Sequence, residues 1–338
     1  MSKRSEPKPW WVYRGSRQQH DDIATRLPPA PPWRKSRGPA LVRPLTLDNG
    51  PSPNFEASDE VIELVNTALY LRRPLLVTGK PGSGKSSLAE AVAWELKLGR
   101  PLRWPINTRS TLQEGLYRYD AIGRLQEASL QEKRKQADGS VAADPDIRQF
   151  LQLGPLGTAL APSKYPRVLL IDEIDKSDID LPNDLLNVFE EGEFEIPELS
   201  RLFRTGTDDE LQVRTIDGEL APTDKGWVRC HAFPLVIMTS NGEREFPPAF
   251  LRRCLQLELK DPGPEQLQEI IRLHLGDEAV ARSGPYIDTF LARRGKDTLA
   301  TDQLLNAIYL VSRVPGAQHD MESLLNVIFK SLGSLGTP

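Results

Sequence analysis

Metal-ligating and redox-active side chains are scarce in this sequence. It holds two cysteines, Cys230 and Cys254, and four scattered histidines, His20, His231, His274 and His319. Neither cysteine belongs to a short paired spacing, so a structural zinc and a disulfide framework are excluded as organising devices. A reducing compartment follows. Long apolar runs are missing as well. The opening MSKRSEPKPWW has no stretch of signal-peptide length. PLVIM, near 236, is strand-sized, far short of the roughly 20 residues that a membrane span needs. There is no internal repeat, and no sign of charge dominates: the formal net charge is −4. These absences point to a cytoplasmic, soluble protein without membrane contact or a dominant polyanion-binding surface.

What is present is unevenly distributed. Within 338 residues, of which 39% are hydrophobic and 27% charged, residues 1–46 carry ten Lys/Arg against Glu6, Asp21 and Asp22. A basic stretch at +7 therefore precedes a body at about −11 (−4 minus 7). Residues 1–53 also hold ten of the 29 prolines. Proline at that density forbids helices and sheet ladders, which leaves an extended arm. One expectation is a disordered linker. Another uses Trp10, Trp11, Tyr13 and Trp33, which are costly to leave in water and favour an arm lying across another surface. Contact with nucleic acid is the third and weakest expectation.

From residue 58 the pattern becomes periodic. SDEVIELVNTALYLRR has an N-cap serine, acids in its first turn and apolar residues at helical spacing. RPLLVTGKPGSGKSSLAEAVAWELKLG then reads as strand, glycine loop and helix. PLRWPINT, PRVLLIDEID and PLVIMTSN read as further buried strands. Apolar strands alternating with helices predict a parallel sheet covered on both faces. The polar stretch 125–145 reads as a mobile insertion. LQVRTIDGEL and GWVRCHAFP read as an inserted hairpin with Asp217-Gly218 at its turn. After Pro262-Gly263-Pro264 four amphipathic stretches, EQLQEIIRLHLG, PYIDTFLARRG, TDQLLNAIYLVSRV and MESLLNVIFKSLG, predict a small all-helical domain. The expected division is an arm over 1–53, an α/β domain over 54–261 and a helical domain over 262–338.

Gly79 to Ser86, GKPGSGKS, fits the phosphate-loop pattern G-x-x-x-x-G-K-[ST]. Glycines let backbone N–H groups turn toward a phosphate, and the helix that follows points its positive end at the same anion. In such a loop Lys85 reaches the β- and γ-phosphates, and the Ser86 hydroxyl is a ligand for Mg²⁺. Gly79, Pro81, Gly82, Ser83, Gly84, Lys85, Ser86 and Ser87 are the candidate nucleotide-binding residues. RVLLIDEID ends a buried strand on Asp172 and Glu173. Asp172 is placed for the Mg²⁺ shell and Glu173 for orienting or deprotonating a water, which favours hydrolysis over transfer to a small molecule. The strand PLVIMTSN ends at Asn241, whose amide suits either an attacking water or the turn that Asn-Gly favours.

GKPGSGKS, VLLIDEID, VIMTSN and LRRC, in this order and followed by helices, resemble the AAA+ ATPases. LYRYDAIGRL, LGPLGTAL, DEIDKSDIDLPNDLLNVFEEGEFEIPEL and TSNGEREFPPAFLRRC are similar to segments of the MoxR-like branch. The resemblance covers roughly 54–310. It implies a three-layer P-loop NTPase domain with a parallel sheet, a helical lid, ATP and Mg²⁺ as ligands, and a homo-oligomeric ring, usually of six. It further implies a protein client, among them von Willebrand factor A domain proteins; the alternative is a nucleic-acid-associated motor. By the same resemblance Asn241 is the polar sensor and Arg253 the arginine finger, with Arg252 beside it. In that architecture both arginines, 11 and 12 residues past Asn241, face a neighbouring subunit's nucleotide. The segment 182–199 reads as a helix that packs on the sheet, then an acidic loop and a short strand; the resemblance adds a loop near the ring axis that couples to a client. One departure is visible. Where relatives open the third lid helix with an arginine, this chain has RRGKDTLATDQLL, leaving Arg293, Arg294 and Lys296 as the candidate substitutes.

Overall fold

The computed structural model describes residues 6–34, 37–41, 52–138, 145–204, 211–294 and 299–313, and Ile328. Its centre is a sheet of five parallel strands: β1 (Leu75–Thr78), β2 (Leu102–Pro105), β3 (Val168–Asp172), β4 (Leu235–Ser240) and β5 (Leu255–Glu258). The order is β5-β1-β4-β3-β2. The sequences LLVT, VLLID and LVIMTS are apolar on both strand faces because both faces are covered. Leu75 and Val77 point into one core and Leu76 into the other. That alternation makes the domain three-layered.

One outer layer holds α1 (Asp59–Leu71) and α2 (Lys85–Glu95). The Ser58 hydroxyl accepts the Val61 N–H at 3.3 Å and so starts α1 where the sequence predicts. The opposite layer holds α3 (Leu181–Glu191) and α4 (Pro248–Arg253), with Phe189 and Phe250 buried together. Beyond the sheet four helices, α5 (Pro264–Leu275), α6 (Asp277–Arg282), α7 (Gly284–Arg294) and α8 (Thr301–Arg313), enclose their own core of Leu267, Ile271, Ile287, Phe290, Leu304 and Ile308. The short α6 is not foreseen from the periodicity. The stretch MESLLNVIFKSLG lies outside the described residues except for Ile328.

The amino-terminal arm is extended for most of its described length, with one short helix at Asp22–Arg26. The linker expectation fails for residues 6–34, because they pack on the chain's own α/β domain. Trp11, Val12, Tyr13 and Ile23 are buried in the same core as α1 and α2. Asn66, fully buried on α1, accepts the N–H groups of Val12 and Tyr13 at 2.6 and 2.9 Å. Its amide donates back to the Tyr13 carbonyl at 2.7 Å. Glu95, at the end of α2, accepts from the N–H groups of Arg14 and Arg17. Trp33 remains exposed.

Two further expectations are corrected. The expected insertion over 125–145 is, up to Asp138, part of a helix spanning Ala121–Asp138. Its Leu, Gln, Glu, Lys and Arg residues are strong helix formers, and its polarity reflects exposure rather than disorder: even Ile122 is 70% exposed. The single expected hairpin is divided between two small sheets. Gln212–Arg214 pairs with Leu220–Pro222 around the Asp217-Gly218 turn, whereas Trp227–Arg229 pairs with Glu193–Glu195 after α3. Burial of Phe194 against Val228 favours that second pairing.

Candidate active site

β1, β3 and β4 all run toward one edge of the sheet, and the chemistry-bearing residues gather there. From Thr78 the chain turns into α2 with Gly79, Gly82 and Gly84 at φ of 151°, 76° and 86°. This left-handed region is accessible to glycine at little cost. A Cβ at Gly79 would also lie 2.7 Å from the Leu259 carbonyl oxygen. The first N–H groups of α2 have no intrahelical acceptor and open onto the loop, which forms an anion cradle.

Lys85 crosses the mouth of this cradle. Its ammonium donates to the carbonyls of Gly79 and Lys80 at 2.6 and 2.9 Å and to Asn241 Oδ1 at 2.8 Å. Burial lowers the Lys85 pKa, and the nearby carboxylates of Asp175, Asp172 and Glu173 oppose that shift. The Ser86 hydroxyl donates to Asp172 Oδ1 at 3.0 Å. Glu173 sits in the left-handed region at φ 60°, a costly conformation for this residue type that turns the chain sharply off β3. Its carboxylate pairs with Lys176 at 2.7 Å.

Two residues that the sequence pattern does not single out organise this cluster. Thr239, on the neighbouring strand β4, donates to Asp172 Oδ1 and accepts the Glu173 N–H. Asp175, which is 3% exposed, accepts the N–H groups of Asn241 and Glu243 on Oδ2, at 2.9 and 3.2 Å. Its Oδ1 is buried without a partner among the described residues. The second aspartate of DEID was the available signal for Asp175; an apolar strand interrupted by one threonine was the signal for Thr239.

Arg252 and Arg253 are not brought to this edge. Leu255 is in register with Leu75, and its N–H bonds to the Pro74 carbonyl. The arginines therefore precede the start of β5, next to the start of β1. The length of β1, about 10 Å at 3.3 Å per residue, separates that end of the sheet from the phosphate loop. There Arg253 is paired with Glu190 at the end of α3. Among the lid candidates Arg294 is turned to the hinge, donating to the Pro262 carbonyl at 3.1 Å and ion-paired with Asp261 at 2.9 Å. Asp261 also accepts from Lys80 of the loop at 2.7 Å. Arg293 lies in the last turn of α7, and Lys296 lies outside the described residues. The start of α8 lies against the loop instead: a Cβ at Gly82 would be 2.8 Å from the Thr301 nitrogen.

The donor set fits a nucleoside triphosphate with Mg²⁺. The left-handed glycines, the helix start and Lys85 suit the phosphates. Among the described residues no group of three His, Cys, Asp or Glu side chains would hold a metal alone. Ser86 and Asp172 would hold Mg²⁺ jointly with phosphate oxygens, the usual arrangement for an ion that keeps few protein ligands. Among the described residues no helix is long and apolar enough to cross a membrane.

Residues 74–254, more than half of the chain, match the model of the AAA domain family, dynein-related subfamily. No curated protein matches the chain. Among solved structures it is similar to domain III of the replication initiation protein DnaA from Thermotoga maritima. The identity is 15%, with 86% of this chain and 100% of that one covered, and the TM-score of 0.39 carries no argument.

Proposed function

The chain belongs to the AAA domain family, dynein-related subfamily, and from that premise we propose that it is an ATP-hydrolysing ring ATPase of the MoxR-like kind that remodels or activates protein partners. One observation carries the reading. Lys85, Ser86, Asp172, Glu173 and Asn241 converge at one edge of the sheet, while Arg253 stands at the other. In this reading Lys85 exchanges its loop carbonyls for the β- and γ-phosphates, and Asn241 and Glu173 hold the attacking water. Glu173 accepts that water's proton. When bound, Mg²⁺ offsets phosphate charge.

In this reading a further cation serves the far side of the γ-phosphate. A guanidinium there is worth roughly 10³–10⁵ in rate. Arg253 supplies it from a neighbouring protomer in a ring, usually of six. The partner class, proteins with a von Willebrand factor A domain, rests on the similarity of segments 116–125, 153–160 and 172–199 to the MoxR-like branch. A nucleic-acid-associated motor would draw on the basic arm. Lys8, Arg14, Arg26, Arg34 and Arg37 of that arm all have intramolecular partners, which counts against the arm as a phosphate-binding surface.

Mixing two inactive variants, Lys85→Ala and Arg253→Ala, tests the reading. Subunits with an intact site and subunits with an intact arginine then complement each other, and ATPase returns. No recovery from folded, co-assembled mixtures would overturn it.

A further inference from the structure

Three arginine side chains, Arg34, Arg73 and Arg253, and the Glu190 carboxylate lie where α3 and α4 end. Arg34, from the amino-terminal arm, donates to the carbonyls of Phe189 and Glu190 in the last turn of α3, at 2.6 and 3.4 Å. Arg73, just before β1, donates to the carbonyls of Arg252 and Arg253 at the end of α4. Each helix C-terminus is thus capped by a cation, the favourable sign for its dipole. Glu190 and Arg253 link the two ends by an ion pair.

The arm is held on both sides of Arg34. Upstream, Trp11, Val12 and Tyr13 are buried. Downstream, the Gly38 N–H bonds the Cys230 carbonyl at 3.0 Å, and a Cβ at Gly38 would collide with the Arg229 carbonyl. The Arg34 guanidinium also lies over the Phe233 ring at 5.8 Å. Burial lowers the Arg34 pKa; Glu190 opposes this, and Arg73 and Arg253 add to it. Of the three guanidinium groups Arg253 is the one ion-paired with Glu190, while Arg34 and Arg73 hold backbone carbonyls.

We propose that Arg34 is a positioning residue for Arg253: by capping α3 beside Glu190 it fixes the α3–α4 corner from which Arg253 reaches the phosphate of a nucleotide bound to a second copy of this chain. The proposal rests on the trans assignment of Arg253 made above. Arg34 touches no phosphate itself. It sets the place of Glu190, the resting partner of Arg253, and with it the starting point of the finger. A misplacement of about 1 Å at such a distance costs on the order of 100-fold in rate. The arm is then part of the subunit interface, and it acts on the side that donates the finger.

Three mixtures of full-length protein, with an Arg34→Lys control as a fourth, test this. The reference pairs Lys85→Ala with Arg253→Ala and recovers ATPase. Adding Arg34→Ala to the Lys85→Ala subunit, which donates the finger, lowers that recovery by about 10- to 100-fold. Adding Arg34→Ala to the Arg253→Ala subunit, which donates the site, leaves recovery unchanged and shows that the variant folds and assembles. Arg34→Lys on the finger side restores part of the loss. Equal recovery in all three mixtures, or an equal loss whichever subunit carries Arg34→Ala, would overturn the proposal alone. Failure of the reference mixture would overturn the trans reading and this proposal with it.

Discussion

Thr239 and Asp172 are joined across adjacent strands: the Thr239 hydroxyl donates to Asp172 Oδ1 at 2.6 Å and accepts the Glu173 N–H at 2.8 Å. One side chain thereby ties the candidate metal ligand to the backbone of the candidate base. Both are held to the strand that carries Asn241.

Thr239→Val keeps the shape and removes both bonds. Thr239 is 1% exposed, so the unmet groups cost about 1–3 kcal/mol of stability. ATPase turnover falls by at least about tenfold, the usual scale for a lost positioning contact, with a smaller change in nucleotide affinity. Denaturant unfolding and steady-state kinetics of the same preparation separate the two effects.

Asn66→Ala releases the arm. Asn66 makes four hydrogen bonds, to Val12, to Tyr13 twice and to Ile62. Losing them costs about 2–4 kcal/mol, since buried backbone donors are left unmet. Limited proteolysis then cuts near Trp11 at concentrations of protease that leave the parent chain intact. An unchanged digestion pattern would show that packing of Trp11 and Tyr13 alone holds the arm.

Arg294→Ala tests whether the lid arginine serves the phosphates. Its guanidinium is turned to Asp261 and Pro262, and it lies over the Phe290 ring at 5.3 Å. The expected result is a stability loss of about 1–3 kcal/mol, with ATP affinity reduced no more than about threefold. A loss of affinity on the order of 100-fold or more, far beyond what one neutral hydrogen bond supplies, would place Arg294 on the nucleotide.

Burial pushes the Cys230 and Cys254 thiols up to about 12 from an ordinary value of 9.0. Both stay neutral in the folded chain while unfolded thiols ionise. Their contribution is therefore constant below about pH 9 and turns against the fold as pH rises from about 9 toward 12. Replacing both with alanine or serine flattens that alkaline part of the stability curve. At pH 8 neither thiol reacts with a maleimide until the chain unfolds.

Much of the site is legible in order along the chain. The loop GKPGSGKS, the strand ending in Asp172-Glu173 and the strand ending in Asn241 were each readable because strand ends and glycine turns are local properties. The parallel sheet was readable for the same reason, as runs such as VLLID and LVIMTS suit strands buried on both faces. The helix over Ala121–Asp138 was missed because an exposed helix and a loop share a polar composition. Thr239 and Asp175 were missed because their importance lies in what faces them across a strand gap.

By itself the sequence determined the phosphate loop, the acidic pair and the α/β architecture, since each depends on the conformations open to neighbouring residues. Only the tertiary structure decided that Arg253 stands at the opposite edge of the sheet from Lys85, which follows from the register of Leu255 on Leu75. Only it decided that the proline-rich arm is sewn onto α1 and carries Arg34 to Glu190. Register and long-range burial are settled by the whole chain packing at once, and no local spacing contains them.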